Sequence, residues 1–372
     1  MSFSFSFAGD DIEDAGDTPA PIPAQAPSST STAAEQPAAA ASAFPVQGKA
    51  LLPPMRHSLS AMLSSLPSKI AYGVLDVDLD GRGVVRLPRR ELWDVRVQLM
   101  AEENDAGTSE GELEPGLGKH DVKTGIYEGG FKSWESSVDL VKVLHAEDLS
   151  NAMAQGPCRV IELGCGTALP SLALFHWACA SGGVASERPP LEIILADYNP
   201  SVLYLVTLPN FILTWALQHQ DHSDILQQAF TPDGELELTP EVMQAFQSFL
   251  ASSRIALTFL SGGWSSEFVE MLYGGVEPYE GLQTFIMGAE TIYSPFALTS
   301  FADTLVSFLH REWSESATDQ VVAFVAAKRL YFGVGGSLDD FVDMIQTLGV
   351  NVIPMREETE GVRRGVVKCV LS

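Results

Sequence analysis

The sequence predicts an α/β protein built on a doubly wound, mostly parallel sheet, with an extension ahead of it. Three observations point there. From residue 158 onward, strand-like apolar runs alternate with helix-compatible segments, the pattern of repeated βα units. The first of those strands, CRVIEL, reads as a continuous run rather than an alternation, as expected for a strand covered on both faces. The turn that follows it carries Gly164 and Gly166, and sheets of this kind bind ligands at the carboxyl ends of their strands.

Taken in order, the chain opens with MSFSFSFAGDDIED, in which Phe3, Phe5 and Phe7 alternate with serines. Period two puts the three rings on one face, so residues 1–14 are either a chance tail or a short strand that docks on a partner. The segment has no basic region and no long apolar core, so a secretory signal is not expected. Residues 15–46 are rich in Ala, Pro, Ser and Thr. Such a composition buries too little apolar surface to offset ordering entropy and predicts a disordered linker. Residues 47–120 form an N-terminal extension: KIAYGVLDV, GVVRLPRREL and WDVRVQLM read as short strands, and Ala101 to Gly118 as an acidic mobile linker.

The main domain is expected over residues 121–372. After CRVIEL, ALPSLALFHWACA has helical spacing and LEIILADY is a second strand. VLYLVTLPNFILTWAL is a helix in which Pro209 predicts a kink or break. Residues 218–253 are an acidic insertion without Lys or Arg. IALTFLSGGW, LQTFIMGAE and QVVAFVAAKR are the third to fifth strands, SPFALTSFADTLVSFL and SLDDFVDMIQTLG are amphipathic helices, and GVVKCVL is a terminal strand.

Charge and cysteine usage exclude several classes. Lys plus Arg is 22 against 48 Asp plus Glu, a net charge of −26. That field repels phosphate backbones, so direct nucleic-acid binding is not expected, and it attracts a basic protein partner. Cys158, Cys165, Cys179 and Cys369 form no CxxC pair and no disulfide framework, which suggests a reducing compartment, cytoplasm or nucleus. The run Leu172 to Ala180 is too short to cross a bilayer. The seven histidines show no HxH or HExxH spacing, so no metal site is expected.

The chemistry-bearing residues fall at successive strand ends. VIELGCGTALP has the form E-x-G-x-G without the third spaced glycine of a dinucleotide site, so Gly164 and Gly166 make either a plain tight turn or a loop against a nucleoside. Asp197 closes the second strand, where a carboxylate accepts from a ribose diol. It and Asn199 are also suitable helix caps before Pro200. In TGIYEGGFKSWESSVDL, Tyr127 or Trp134 offers an aromatic face to a sulfonium cation, although Trp134 can equally be a core anchor. Ser261 to Trp264 (SGGW) could set backbone amides and an indole against an adenine ring. In GAETIY, Glu290 and Tyr293 stand over the same crevice.

Here the sequence resembles a known family. The segments GIYEGGFKSWESSVDL, VIELGCGTALP, DYN, SGGW, ETIY, AAKRLYFGVGG and the MSFSFSF tip are similar to those of the histidine protein methyltransferases, a branch of the S-adenosylmethionine-dependent seven-strand methyltransferases. The resemblance implies a seven-strand methyltransferase sheet over residues 121–372 and S-adenosyl-L-methionine as cofactor. The implied reaction is methyl transfer to a histidine, typically in ribosomal protein L-three of the large subunit. Cofactor contacts are implied at Ser133, Trp134, Glu135, Ser136, Ser137, Gly164, Gly166, Asp197, Tyr198, Asn199, Ser261, Gly262, Gly263, Trp264 and Ala289. Several positions depart from the family pattern. Ser136 stands for a cysteine, Ala168 and Ser171 for glycines, Gly288 and Ala289 for a Thr-Ser-like pair, and Gly263 for an acid before Trp264. The last removes a polar contact to adenine.

Methyl transfer from a sulfonium is an in-line displacement that needs alignment and the exclusion of water. A group accepting the imidazole N–H would select the tautomer and stabilise the imidazolium. Glu290 is the first candidate, with Tyr293 and Glu135 behind it. Tyr331 to Gly336 (YFGVGG) is either a mobile substrate rim or a left-handed turn before a helix. A lysine methyltransferase of the same superfamily, or a non-catalytic ribosome-assembly factor with this fold, remains as an alternative at this stage.

Overall fold

The main sheet has eight strands, one more than the seven that the resemblance implies, the short strand Met55–His57 being added at its edge. In this computed structural model the described residues are 50–105, 129–180, 188–274, 280–315, 321–331 and 335–371, all within one compact unit, Ala41–Ser372. The Phe-rich tip, the linker 15–46, Tyr127 and the centre of YFGVGG lie outside them. The strands are β1 (Met55–His57), β2 (Lys69–Asp78), β3 (Val84–Arg90), β4 (Cys158–Leu163), β5 (Leu191–Asp197), β6 (Glu235–Glu237), β7 (Ile255–Ser261), β8 (Gln283–Ala289), β9 (Val321–Lys328), β10 (Val350–Glu358) and β11 (Arg364–Leu371). The large sheet has the order β1-β7-β5-β4-β8-β9-β11-β10. β7, β5, β4, β8 and β9 are parallel, while β11, β10 and β1 pair antiparallel with their neighbours.

The winding starts in the middle at β4, moves outward to β5 and β7, and returns to β8 on the other side. That reversal is the switch point where such sheets open a crevice. Register aligns the strand ends around it. Leu163 lies opposite Ala196 and Gly288, and Asp197 opposite Ser261. Residues 164, 197, 261 and 289 therefore meet on one edge.

β4 is buried at all six positions, and its two faces feed different cores. Val160 joins Leu140, Phe175 and Phe211, while Ile161 and Leu163 join Phe268, Phe301 and Phe341. This is period-two alternation between two apolar layers. Arg159, 2% exposed, sits at the far end of the strand. It is held by Glu192 (2.9 Å) and Glu312 (2.8 Å), and Glu312 also accepts from Thr284 Oγ1 at 2.7 Å.

One local expectation is corrected, and the structure gives form to two others. WDVRVQLM is not a strand but the body of the helix Leu92–Asp105, which takes in the first residues of the expected acidic linker. Leu92, Val95 and Leu99 recur at helical spacing and pack with Phe131, Val202, Leu205 and Val206. Pro209 does not break its helix. The chain stays helical from Pro200 to His222, with a π turn over Leu203–Thr207 just ahead of the proline. Proline cannot bond the carbonyl four residues back; here the Leu205 carbonyl accepts from the buried Arg90 Nη1 at 3.0 Å instead. This helix is long and apolar enough by composition to cross a membrane, but 83% of its apolar window is buried inside the fold. The acidic insertion forms regular structure. It contributes β6, which joins β2 and β3 in a second, three-stranded sheet, and the amphipathic helix Pro240–Ser252. All four cysteines are free thiols.

Candidate active site

The strand ends enclose a cleft of about 880 Å³, its open mouth included, within the size range of small-molecule sites. Of the residues singled out from sequence, Trp134, Ser137, Gly164, Gly166, Asp197, Tyr198, Trp264, Ala289, Glu290 and Tyr293 line it. Leu51, Lys132, Glu162, Thr167 and Thr291 line it as well. Glu162 was legible as the acid of the E-x-G-x-G turn. Leu51 carries no sequence signal.

The glycine turn is shaped by backbone. Gly164, Gly166 and Ala168 all have left-handed φ, 64°, 52° and 58°. Ala168 thus adopts a conformation that favours glycine, at a steric cost. At Gly166 a side chain would meet the Gly130 carbonyl at 3.1 Å, and its N–H donates to Asp197 Oδ2 at 3.0 Å. Asp197 Oδ1 accepts the Asn199 N–H at 3.0 Å. One buried carboxylate, 5% exposed, therefore ties the ends of β4 and β5 together at the floor of the cleft.

Beside it, Glu162 is fully buried and accepts the Ser171 N–H at 3.0 Å. Burial, reinforced by the neighbouring Asp197, pushes its carboxyl up to about 7. On the opposite wall, burial raises the Tyr293 phenol to about 12. Glu290 directly follows β8 with φ 59°, an unusual backbone conformation for a non-glycine residue. Its oxygens receive the Ser136 hydroxyl and, at 2.7 Å, the Tyr331 hydroxyl. Tyr331 is the first residue of YFGVGG, so that segment is anchored to the acid. Gly335 is left-handed, two residues before Ser337 caps the helix Leu338–Thr347.

The remaining predicted residues support the wall without lining it. Ser133 Oγ lies 2.9 Å from Thr167 Oγ1, and Glu135 pairs with Arg364 at 3.1 Å. Trp134 is not a core anchor: it is 40% exposed at the cleft rim, with Lys328 Nζ 5.0 Å above its ring. Ser261 Oγ sits 2.7 Å from His57 Nε2. The amides expected to face an adenine ring are already bonded. Gly262 N–H donates to the Asp197 and Tyr198 carbonyls (both 3.2 Å), and Gly263 N–H to the Leu52 carbonyl (2.8 Å). Gly263 has no room for an acid, because an added Cβ would lie 2.7 Å from that of Leu51.

The donor set suits an adenosine sulfonium. A carboxylate at the end of β5 matches a ribose diol, and aromatic rings of Trp134, Tyr198 and Trp264 border the cleft. Trp264 Nε1 and Thr291 Oγ1 in its wall have no hydrogen-bond partner among the described residues.

No protein-family model matches the sequence. Full-length comparison finds Histidine protein methyltransferase 1 of Schizosaccharomyces pombe, 33% identical over 316 residues and 83% of each chain. The Saccharomyces cerevisiae protein of the same name is 35% identical over 303 residues, 77% of this chain and 75% of that one. Among solved structures, the rRNA methyltransferase aviRa from Streptomyces viridochromogenes aligns with a TM-score of 0.34 and 12% identity, over 70% of this chain and 96% of the other. By these two yeast relatives, the chain belongs to the histidine protein methyltransferase 1 family.

Proposed function

We propose that this protein transfers the methyl group of S-adenosyl-L-methionine to an imidazole nitrogen of a histidine in a large-subunit ribosomal protein. The observation that carries the reading is the convergence of Gly164, Asp197, Trp264 and Glu290 on one cleft at the switch point, in a chain whose yeast relatives are named for histidine methylation. The bound cofactor supplies a methyl carbon on a positively charged sulfur.

The chain's own residues do the rest. Asp197 and the glycine turn hold the ribose end, and the rim at Trp134 admits the substrate side chain. A histidine is about half or more neutral near pH 7, since its ordinary pKa is about 6.5. With the cofactor held by Asp197 and the glycine turn, the lone pair of the neutral ring would take up its methyl group, the electron pair of the carbon–sulfur bond remaining on the departing thioether. The ring is left as an imidazolium whose other N–H needs an acceptor. Tyr293 does not serve as base, because its phenol holds its proton up to about pH 12. Glu290, fixed by Ser136 and Tyr331, accepts that N–H.

The test is transfer of labelled methyl from the cofactor to purified large-subunit ribosomal proteins, followed by mass spectrometry of the labelled peptide. A label on histidine, lost with Glu290→Gln, supports the reading. A label on lysine, or binding of cofactor without any transfer, refutes it.

A further inference from the structure

Residues 50–57 lead from the cleft, where Leu51 is in the lining, to the edge of the large sheet. β1 lies antiparallel to β7, with Met55 opposite Ser261 and His57 opposite Phe259. Just before it, Leu52 is bonded in both directions. Its N–H donates to the Tyr198 hydroxyl at 3.1 Å, and its carbonyl accepts the Gly263 N–H at 2.8 Å. These two bonds fix Leu51 against Gly263 and in the wall of the cleft. The His57 ring anchors the strand further along, 2.7 Å from Ser261 Oγ and 3.3 Å from Tyr204 Oη.

The sheet order tells which part of a ligand meets this strap. β5 and β7 lie on one side of β4, and β8 lies on the other. Asp197, the ribose acceptor, ends β5, while Ala289 and Glu290 follow from β8. A ligand spanning the strand ends therefore has its nucleoside over β5 and β7, beside Leu51, and its reacting end over β4 and β8. Leu51 takes the space a side chain at position 263 would need. The purine consequently meets an apolar wall there in place of an acid.

We propose that the N-terminal strap 50–57 is part of the cofactor site, with the Leu51 side chain as the wall against the nucleoside of the cofactor. This rests on the reading of the cleft as the S-adenosylmethionine site. Apolar contact of this kind needs no charge on either partner and scales with the area covered.

Calorimetric titration of the full chain with S-adenosylhomocysteine and with 5′-methylthioadenosine, which lacks the amino-acid portion, tests it. Leu51→Ala should weaken both ligands by the same factor, about five- to tenfold for a lost leucyl contact. Leu51→Met, of similar volume, should bind like the parent. Hydrogen exchange of the parent should show the 50–57 amides slowed by S-adenosylhomocysteine, a readout that does not depend on any variant folding. Parent binding with unchanged affinity in Leu51→Ala, or with no added protection in 50–57, overturns the strap. Loss confined to S-adenosylhomocysteine overturns the nucleoside placement. If the parent binds neither ligand, the cofactor reading itself falls, and the strap with it.

Discussion

At the scale of single residues, Ala168 shows how a departure from the family pattern can be absorbed. Its left-handed φ of 58° costs roughly 1–2 kcal/mol for an L-residue. Glycine would relieve that strain but lose a buried methyl worth about 0.8 kcal/mol and gain unfolded-state freedom of similar size. Ala168→Gly should therefore be nearly neutral in urea unfolding, whereas Ala173→Gly, buried in the next helix, should cost about 2 kcal/mol. Glu162 makes a second prediction. An acid raised to about 7 holds its proton more tightly folded than unfolded. Its contribution is full below the unfolded value near 4.5 and is lost as pH rises through 7, about 3 kcal/mol in all. Thermal midpoints should fall between pH 5 and pH 8, and Glu162→Gln should flatten that fall. Asp197 makes the third. Asp197→Asn keeps a carbonyl for one of the two amides it holds but loses the charge. S-adenosylhomocysteine affinity should drop at least about tenfold, the size of one charge-assisted hydrogen bond. An unchanged affinity in the folded variant removes Asp197 from the ribose site.

At the scale of elements, a buried arginine at the end of β3 ties the extension to the glycine turn of the cleft. Arg90 ends β3, 4% exposed. Its N–H donates to Asn210 Oδ1 at 2.8 Å, and Asn210 Nδ2 in turn donates to the Thr167 carbonyl of the glycine turn at 3.0 Å. Its guanidinium takes the Leu205 carbonyl and Asp94. Arg90→Ala leaves a buried carbonyl without its donor and a half-buried carboxylate without its cation, which should cost about 2–4 kcal/mol. Arg86→Ala is the control. That ion pair with Asp76 is solvent-exposed on both sides, and its loss should stay within about 0.5 kcal/mol in denaturant unfolding. The misread helix Leu92–Asp105 belongs to this scale too. WDVRVQL alternates apolar and polar residues well enough to pass for a strand. Leu92, Val95 and Leu99 show the helical spacing only once Phe131 and Val202 are known to lie beneath them.

At the scale of the whole molecule, the net charge of −26 bears on the proposed substrate. Residues 218–253 carry no Lys or Arg, and within them β6 packs beside β2, with Glu235 paired to Lys69. A negative field accelerates the encounter with a basic protein and is screened over about 8 Å at physiological salt. Methylation of an isolated ribosomal protein should slow markedly from low to physiological salt. Mature subunits, wrapped in rRNA phosphates, should be poor substrates beside the free protein. Equal rates on both would refute charge selection of the unassembled form.

Sequence by itself determined the succession of βα units, the glycine turn, the acid at the end of β5 and the family. Each of these is written in residues close along the chain, where spacing and backbone preference act directly. Tertiary structure decided what lies across from them. β1 and β6 are three residues long, too short to show a period, and each becomes a strand only because an open sheet edge accepts it. Leu52 meets Tyr198 across 146 positions and Arg90 meets Leu205 across 115. No local pattern encodes such pairs, since closing loops of that length is an entropic cost met by the fold as a whole. Leu51 reached the cleft, and the position of Gly263 was filled, by that route.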